Sequence, residues 1–596
     1  MNSKTTWTLL LLAGALFAFI ALFERHWREP GDFAAHPRIL PQLKVAAVTS
    51  IQVSPAGQEE IRADRTNDVW RLTRPLSYPA EASAVESLLQ ALAQLSAANR
   101  LTARDLNARP NAAKEFGFEP PRFTLLVQQP DYTAQVLIGG GTPLKDQLFL
   151  QVIGTEGIFL VDASLGRLLP QTPDDWRSAA FVNLRGLAFN RLAVTNSARG
   201  FELERDAADQ PWRLAKPMEA RADNLRIGGL LQKLQNLRVT RFVTDDPRAD
   251  LDAFGLSTPD LSLALAQGTN PAALLQFGRS PTNAAGQVYA RRADRPTIVL
   301  VPAEAVAGWR GPYTDFRDRR LVTLTPDNVE EIILAVRGGE TNVVRRQTND
   351  LWRVIGTNGF AAEPALVGDL LGSLSTLEVA QFVKDVVTPL DFPSYGLQPP
   401  ALQVGLRTAG AGTNRVIADL QFGAVQNGLV YARRADENSV YGIALRDFQR
   451  LPLAAWQLRD LHLWQFTEDD VARLMVRRPE RTLELVRTGP NQWTGPATAQ
   501  GSVNELALDE CLHRLGGLTA AAWVARGPDQ RPRFGFSDRS PTLTVELKSG
   551  AKLSVEFGGL SPRGFPYAAI ELGGQLWIFD FPWSVYEYLQ TTLPGF

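Results

Sequence analysis

The sequence predicts an α+β protein: an N-terminal transmembrane helix, then four tandem α+β modules of about 140 residues, mainly antiparallel sheets each with a packed helix. Three observations predict it. Trp70, Trp212, Trp352 and Trp493 lie 142, 140 and 141 residues apart, in Asp-Val-Trp-Arg-Leu, Gln-Pro-Trp-Arg-Leu, Asp-Leu-Trp-Arg-Val and Asn-Gln-Trp-Thr-Gly. A fixed period is the mark of a repeated module. Fifteen residues after each tryptophan comes the same helix position, at Val85, Ile227, Val367 and Leu508. Finally, Trp7 to Phe23 reads WTLLLLAGALFAFIALF, seventeen residues without a charge.

In chain order, residues 1–6 form a short tail and 7–23 the membrane anchor. Trp7 and Trp27 are twenty residues apart, about 30 Å as a helix, which suits aromatics at the two faces of a bilayer. No small-x-small cleavage site follows the apolar run, so the segment reads as uncleaved. Arg25, Arg28, Arg38 and Lys44 follow the span and only Lys4 precedes it. A literal count of basic residues keeps the large domain cytoplasmic. A short N-terminal tail before an apolar span is instead the usual form of a signal anchor. The repeat region is expected outside the cytoplasmic membrane, in the periplasm. Residues 24–44, with Pro30, Gly31, Pro37 and Pro41, read as a semi-extended linker. The modules are expected at 45–186, 187–325, 326–465 and 466–596.

Each module opens with short β-type runs, such as residues 48–53 and 329–336, followed by the tryptophan strand after a turn such as Thr66-Asn67-Asp68. A helix comes next. Val85, Leu88, Leu89, Leu92 and Leu95 form one apolar stripe at helical period. The other stripes are Ile227, Leu230, Leu231, Leu234, Leu237; Val367, Leu370, Leu371, Leu374, Leu377; and Leu508, Cys511, Leu512, Leu515, Leu518. Glu81, Asp223, Glu363 and Asn504, four residues ahead, mark the helix starts. An aromatic-Gly turn follows at Phe116-Gly117, Phe254-Gly255, Tyr395-Gly396 and Phe534-Gly535, where glycine suits a positive φ. Two strands meet near a second glycine at Gly139, Gly278, Gly423 and Gly558. A short segment ending Asp175-Trp176-Arg177 or Asp315-Phe316-Arg317 closes the unit. Short turns between strands favour antiparallel pairing.

The Trp-Arg-Leu strand, the helix opening, the turn Tyr395-Gly396-Leu397-Gln398-Pro399-Pro400 and the Tyr-Ala-Arg strand resemble the bacterial domain-of-unknown-function 4340 family (DUF4340) over all four copies. The resemblance implies membrane-anchored envelope proteins, often encoded beside gliding-motility-type ABC transporter components, with no established catalytic residues. Leu148-Phe149-Leu150 and Tyr567-Ala568-Ala569 depart from Tyr-Ala-Arg in copies one and four, which restricts any role of that arginine to the middle copies.

With 62 basic and 63 acidic residues there is no basic field for nucleic acid. One cysteine, Cys511, excludes an intrachain disulfide. It stands at a stripe position held elsewhere by leucine, and so reads as core. His26, His36, His462 and His513 show no metal-ligand spacing, so neither a metal nor a cofactor is expected. Gly139-Gly140-Gly141 lacks the Gly-Lys-Ser/Thr ending of a phosphate loop. The tryptophans read as packing anchors. Glu468-Asp469-Asp470 and Asp245-Asp246 read as solvated faces at module joints. The candidate partner-binding residues are Tyr289, Arg291, Tyr431 and Arg433, because Tyr and the first Arg of each motif share a strand face and can meet an acidic group.

The expected function is a non-enzymatic, membrane-anchored envelope scaffold or accessory protein beside an ABC-type transporter, the transporter link coming from the resemblance. The alternative is a polysaccharide- or peptidoglycan-binding repeat protein. A hydrolase would need a site at a module junction without a recognised motif.

Overall fold

The computed structural model describes residues 37–593 apart from 97–98, 108, 198–199, 349, 357–358, 409–414, 491 and 496–503. The expected anchor at 7–23 lies outside the described residues, and among those described no helix is long and apolar enough to cross a membrane. The chain divides into two compact units, one ending at Phe316 and the other beginning at Arg317. Each contains two antiparallel sheets.

In the first module the strands are β1 (Ser50–Pro55), β2 (Ile61–Thr66), β3 (Val69–Arg74), β4 (Tyr78–Pro79), β5 (Asn99–Leu101), β6 (Phe123–Gln129), β7 (Tyr132–Gly141), β8 (Gln147–Val152) and β9 (Ile158–Asp162). They form one sheet in the order β4-β3-β2-β1-β6-β7-β8-β9-β5. Two meanders thus join through β1 and β6, in register from Ser50↔Gln128 to Pro55↔Phe123. β5, which follows the helix in sequence, closes the far edge on β9. The second and third modules repeat this order, and the fourth does so with eight strands among the described residues, without a counterpart of β4. The protein is therefore mostly β, with one principal helix per module. Alternating burial along β6 and β8 shows why: residues of period two present one face to the core and pair on both edges.

The principal helices are α1 (Ala82–Gln94), α2 (Asn224–Gln235), α3 (Pro364–Ser375) and α4 (Glu505–Gly516). Glu81, Asp223, Glu363 and Asn504 are their N-cap residues, as the apolar stripes predict. Asp223 and Asn504 accept from the backbone N–H groups of Arg226 and Ala507; neither glutamate makes such a bond. In three copies the N-cap backbone N–H donates to the segment entering the next module: Glu81 to Trp176 O, Asp223 to Phe316 O and Glu363 to Leu458 O. The stripes are buried, with Leu231 alone among the core positions within the helices only partly covered.

Part of the expected linker belongs to the first module. Ile39, Leu40 and Leu43 are buried in its core. Arg38 bridges Ser96, as Ala180 bridges Arg238, Arg320 bridges Glu378 and His462 bridges Thr519. The same short lead-in therefore precedes each sheet and pairs just beyond its helix. Its apolar residues have too little local period to be recognised in sequence.

The aromatic-Gly turn explains both glycines. Gly117, Gly255, Gly396 and Gly535 have φ of +76, +68, +66 and +77°, in the left-handed region that favours glycine. At Gly139, Gly278, Gly423 and Gly558 an added Cβ would collide with the carbonyl oxygen of Phe116, Phe254, Tyr395 or Phe534.

Candidate functional site

Arginines stacked on aromatic rings recur at fixed places. On or just after the strand before each tryptophan, Arg65, Arg205, Arg346 and Arg487 lie over Trp70, Trp212, Trp352 and Trp493, at 5.7, 4.4, 5.1 and 5.4 Å from the ring centroids. Each also donates to carbonyls just ahead of the first strand of its module: Val45 and Ala46, Phe189, Asp327 and Pro326, and Glu468. Trp70, Trp212 and Trp352 are buried, whereas Trp493 is only partly so. These arginines stand at unequal distances from the tryptophan, so a strict spacing does not reveal them.

A second arginine enters each later module. Arg177, 2% exposed at its side chain, pairs with Asp245 and, at 3.1 Å, with Asp174. Its guanidinium lies 4.6 Å from the Phe242 ring and 5.3 Å from the Tyr78 ring. Arg317 repeats the arrangement, 3.8 Å from the Phe382 ring and paired with Asp385. Hydroxyls complete both: Thr297 donates to Asp245 Oδ1 at 2.7 Å, and Ser439 to the Asp385 carbonyl at 3.0 Å. Asp245, read from sequence as part of a solvated face, is thus the counter-ion of a buried arginine. The sequence reading missed it because the partners are far apart in the chain.

The entry to the fourth module departs from this pattern. Arg459 lies 4.6 Å from the Trp577 ring and 5.1 Å from Phe360. Trp523 takes the place of Phe242 and Phe382, opposite Phe579 as Phe242 is opposite Val299, and its Nε1–H donates to Arg459 O at 3.0 Å. One step further along the sheet, Arg526 faces Trp577, where the other copies have Asp245 with Thr297 and Asp385 with Ser439. Arg526 approaches the same Trp577 ring, at 5.6 Å. Burial pulls the Arg459 pKa down, Asp460 opposes it, and Arg526 lowers it by a smaller amount.

Beside Arg459, the structure gathers Glu363, Asp460 and His462, whose ligand atoms lie within 4.8 Å of one another. His462 Nδ1 is 2.8 Å from Asp460 Oδ1. Burial pushes Asp460 upward, but hydrogen bonds from the His462 backbone and ring outweigh it and hold the carboxyl below its usual range. The bond to Asp460 raises His462. Two carboxylates and an imidazole are donors suited to a divalent transition metal. The set joins the N-cap of α3 to the lead-in of the fourth module, so no local spacing could show it.

Tyr289 and Tyr431 sit on strands with Ala290 and Ala432 buried beneath them. Their rings meet Phe254 and Tyr395 of the aromatic-Gly turns at 4.9 and 5.0 Å, as Phe149 meets Phe116 and Tyr567 meets Phe534. Arg291 donates to Gln276 Oε1 at 2.7 Å, and Arg433 lies 4.1 Å from the Phe392 ring. The four residues remain on two separate sheets, each already engaged within its own module. Cys511 is buried, and burial pushes its thiol up to about 12. His513 contacts Glu468, and Asp469 lies 3.4 Å from Arg487, so this acidic run is partly ion-paired.

No curated protein matches the chain. The family described as a domain of unknown function (DUF4340) matches residues 70–211, 212–353 and 352–529, each match opening at one of the repeated tryptophans Trp70, Trp212 and Trp352. These matches run from one tryptophan to or beyond the next, and so begin partway through one sheet and end partway through the following one. Spanning well over half of the chain, they show that it belongs to the DUF4340 family.

Proposed function

We propose that this protein is a non-enzymatic, single-pass, membrane-anchored scaffold of the bacterial envelope, with its repeats in the periplasm as an accessory to an ABC-type transporter. One observation carries the scaffold reading: successive modules within a unit are locked by an arginine stacked on aromatic rings, buried in the first unit and half-buried in the second. In the first unit Arg177 ties Tyr78 of one module to Phe242 and Asp245 of the next. In the second, Arg459 ties Phe360 to Trp577. Such joints hold neighbouring modules in a set relation, which suits a surface that several partner subunits can grip. Membrane anchoring rests on the uncharged run from Trp7 to Phe23, and the transporter association on the family resemblance.

The test is affinity purification of the full chain from detergent-solubilised membranes. Recovery of an ATPase and a permease subunit is the expected result. Recovery of glycan fragments without them would replace the scaffold with a polysaccharide-binding role. Protease added outside intact spheroplasts should degrade the repeats; their survival until lysis would place them in the cytoplasm instead.

A further inference from the structure

We propose that the cleft beside Arg459, Arg526 and Trp577 binds an oxyanion, of phosphate or carboxylate chemistry, where the other module entries hold an aspartate. The repeat supplies its own control. At two entries a buried arginine stacked on an aromatic ring is neutralised by an aspartate, which a hydroxyl residue supports: Arg177 with Asp245 and Thr297, Arg317 with Asp385 and Ser439. At the third, both supporting positions change together, to Arg526 and Trp577. A conserved counter-ion has become a second cation, on the same ring as the first.

Two half-buried guanidiniums held this close repel each other, and an external anion relieves the repulsion. Guanidinium is the group best matched to phosphate or carboxylate, because its fixed N–H donors engage two oxygens at once. Room for the ligand exists. Arg526 and Phe360 line a cavity of about 390 Å³ together with Thr341 and Asn342, whose polar groups add hydrogen-bonding capacity. Trp577 is 2% exposed, and its Nε1–H finds no acceptor among the described residues. Asp460 acts on Arg459 but is shared with His462 at 2.8 Å and clustered with Glu363, and Glu340 is an exposed residue of the cavity wall.

The test uses the full chain in detergent micelles, with inorganic phosphate or acetate titrated against chloride at constant ionic strength. A saturable rise in melting midpoint is expected, on the order of 2–5 °C at saturation. The tighter of the two anions identifies the oxyanion carried by the natural ligand. No rise beyond that in chloride, with either anion, overturns the proposal. Arg526→Asp rebuilds the pairing of the other entries; it should raise the anion-free midpoint and abolish the anion-dependent rise. Arg526→Gln, which adds no buried charge, should weaken anion affinity at least about tenfold with circular dichroism unchanged. Retention of the wild-type response in a folded Arg526→Gln protein would equally overturn it.

Discussion

Arg177→Met removes a charge that the first unit has built around. The guanidinium is 2% exposed, while its partners Asp245 and Asp174 are 35% and 51% exposed. Deleting one member of a buried ion pair costs about 3–5 kcal/mol, mostly because the other charge is stranded. Here the carboxylates reach solvent, and Thr297 still donates to Asp245, so that part falls to about 2 kcal/mol. Loss of the stacking on Phe242 and Tyr78 adds about 1 kcal/mol. The sum, about 3 kcal/mol, corresponds to roughly 6–12 °C at about 2–4 °C per kcal/mol. Calorimetry of the full chain measures it, with Arg238→Ala as control, since the Arg238–Glu81 pair is 3.8 Å apart and its arginine 66% exposed. The control should move the midpoint by no more than about 1 °C. Combining Arg177→Met with Asp245→Leu should recover part of the loss, because only the more exposed Asp174 is then left without its arginine. A single-variant shift below about 2 °C, or a double variant whose losses simply add, would refute the assignment of Arg177 as a neutralised clamp.

Three further outcomes are expected. Gly423→Ala forces a methyl group against the Tyr395 carbonyl and should cost about 1–3 kcal/mol in urea unfolding; an unchanged midpoint would show that the turn can yield. His462 should titrate above its ordinary value by NMR, and Asp460→Asn should bring it back down. Since folding raises this pKa, its stabilisation is complete below about pH 6.5 and is lost as pH rises through the folded value; a wild-type titration at or below about 6.5 contradicts the pairing. Cys511 should resist a thiol reagent until the protein unfolds, given its burial and a thiol pushed up to about 12. Stoichiometric labelling under native conditions would exclude the core assignment.

The features legible in sequence are those written over a few turns of chain. The stripe from Val85 to Leu95 has helical period, and the N-cap positions Glu81, Asp223, Glu363 and Asn504 follow from it. Glycine before a loop, as at Gly396, signals a positive φ. Pairing across long separations leaves no such trace. Neither β1 beside β6 nor β5 at the far edge can be deduced from alternation alone, because any strand with one apolar face satisfies the same pattern. The candidate site was hidden for the same reason. Asp460 and His462 are neighbours in sequence, but Glu363 reaches them only once the third sheet and the lead-in to the fourth have met. The repeat gave one usable hint: functional difference belongs where copies disagree, and Arg526 stands where Asp245 and Asp385 set the pattern.

The placement of β1 has a consequence for synthesis. Its outer edge waits for β6, and Ser50 cannot meet Gln128 until the helix, β5 and the aromatic-Gly turn have all been made. A nascent module therefore carries an open strand edge through about half of its own translation. Such edges pair promiscuously with other chains, and folding that depends on distant contacts is slow. Four modules in series repeat this vulnerable interval four times. Production of the protein should accordingly be limited by how well a holding chaperone shields each half-made sheet, and slowing elongation before the β6 position of a module should lower the yield of soluble chain.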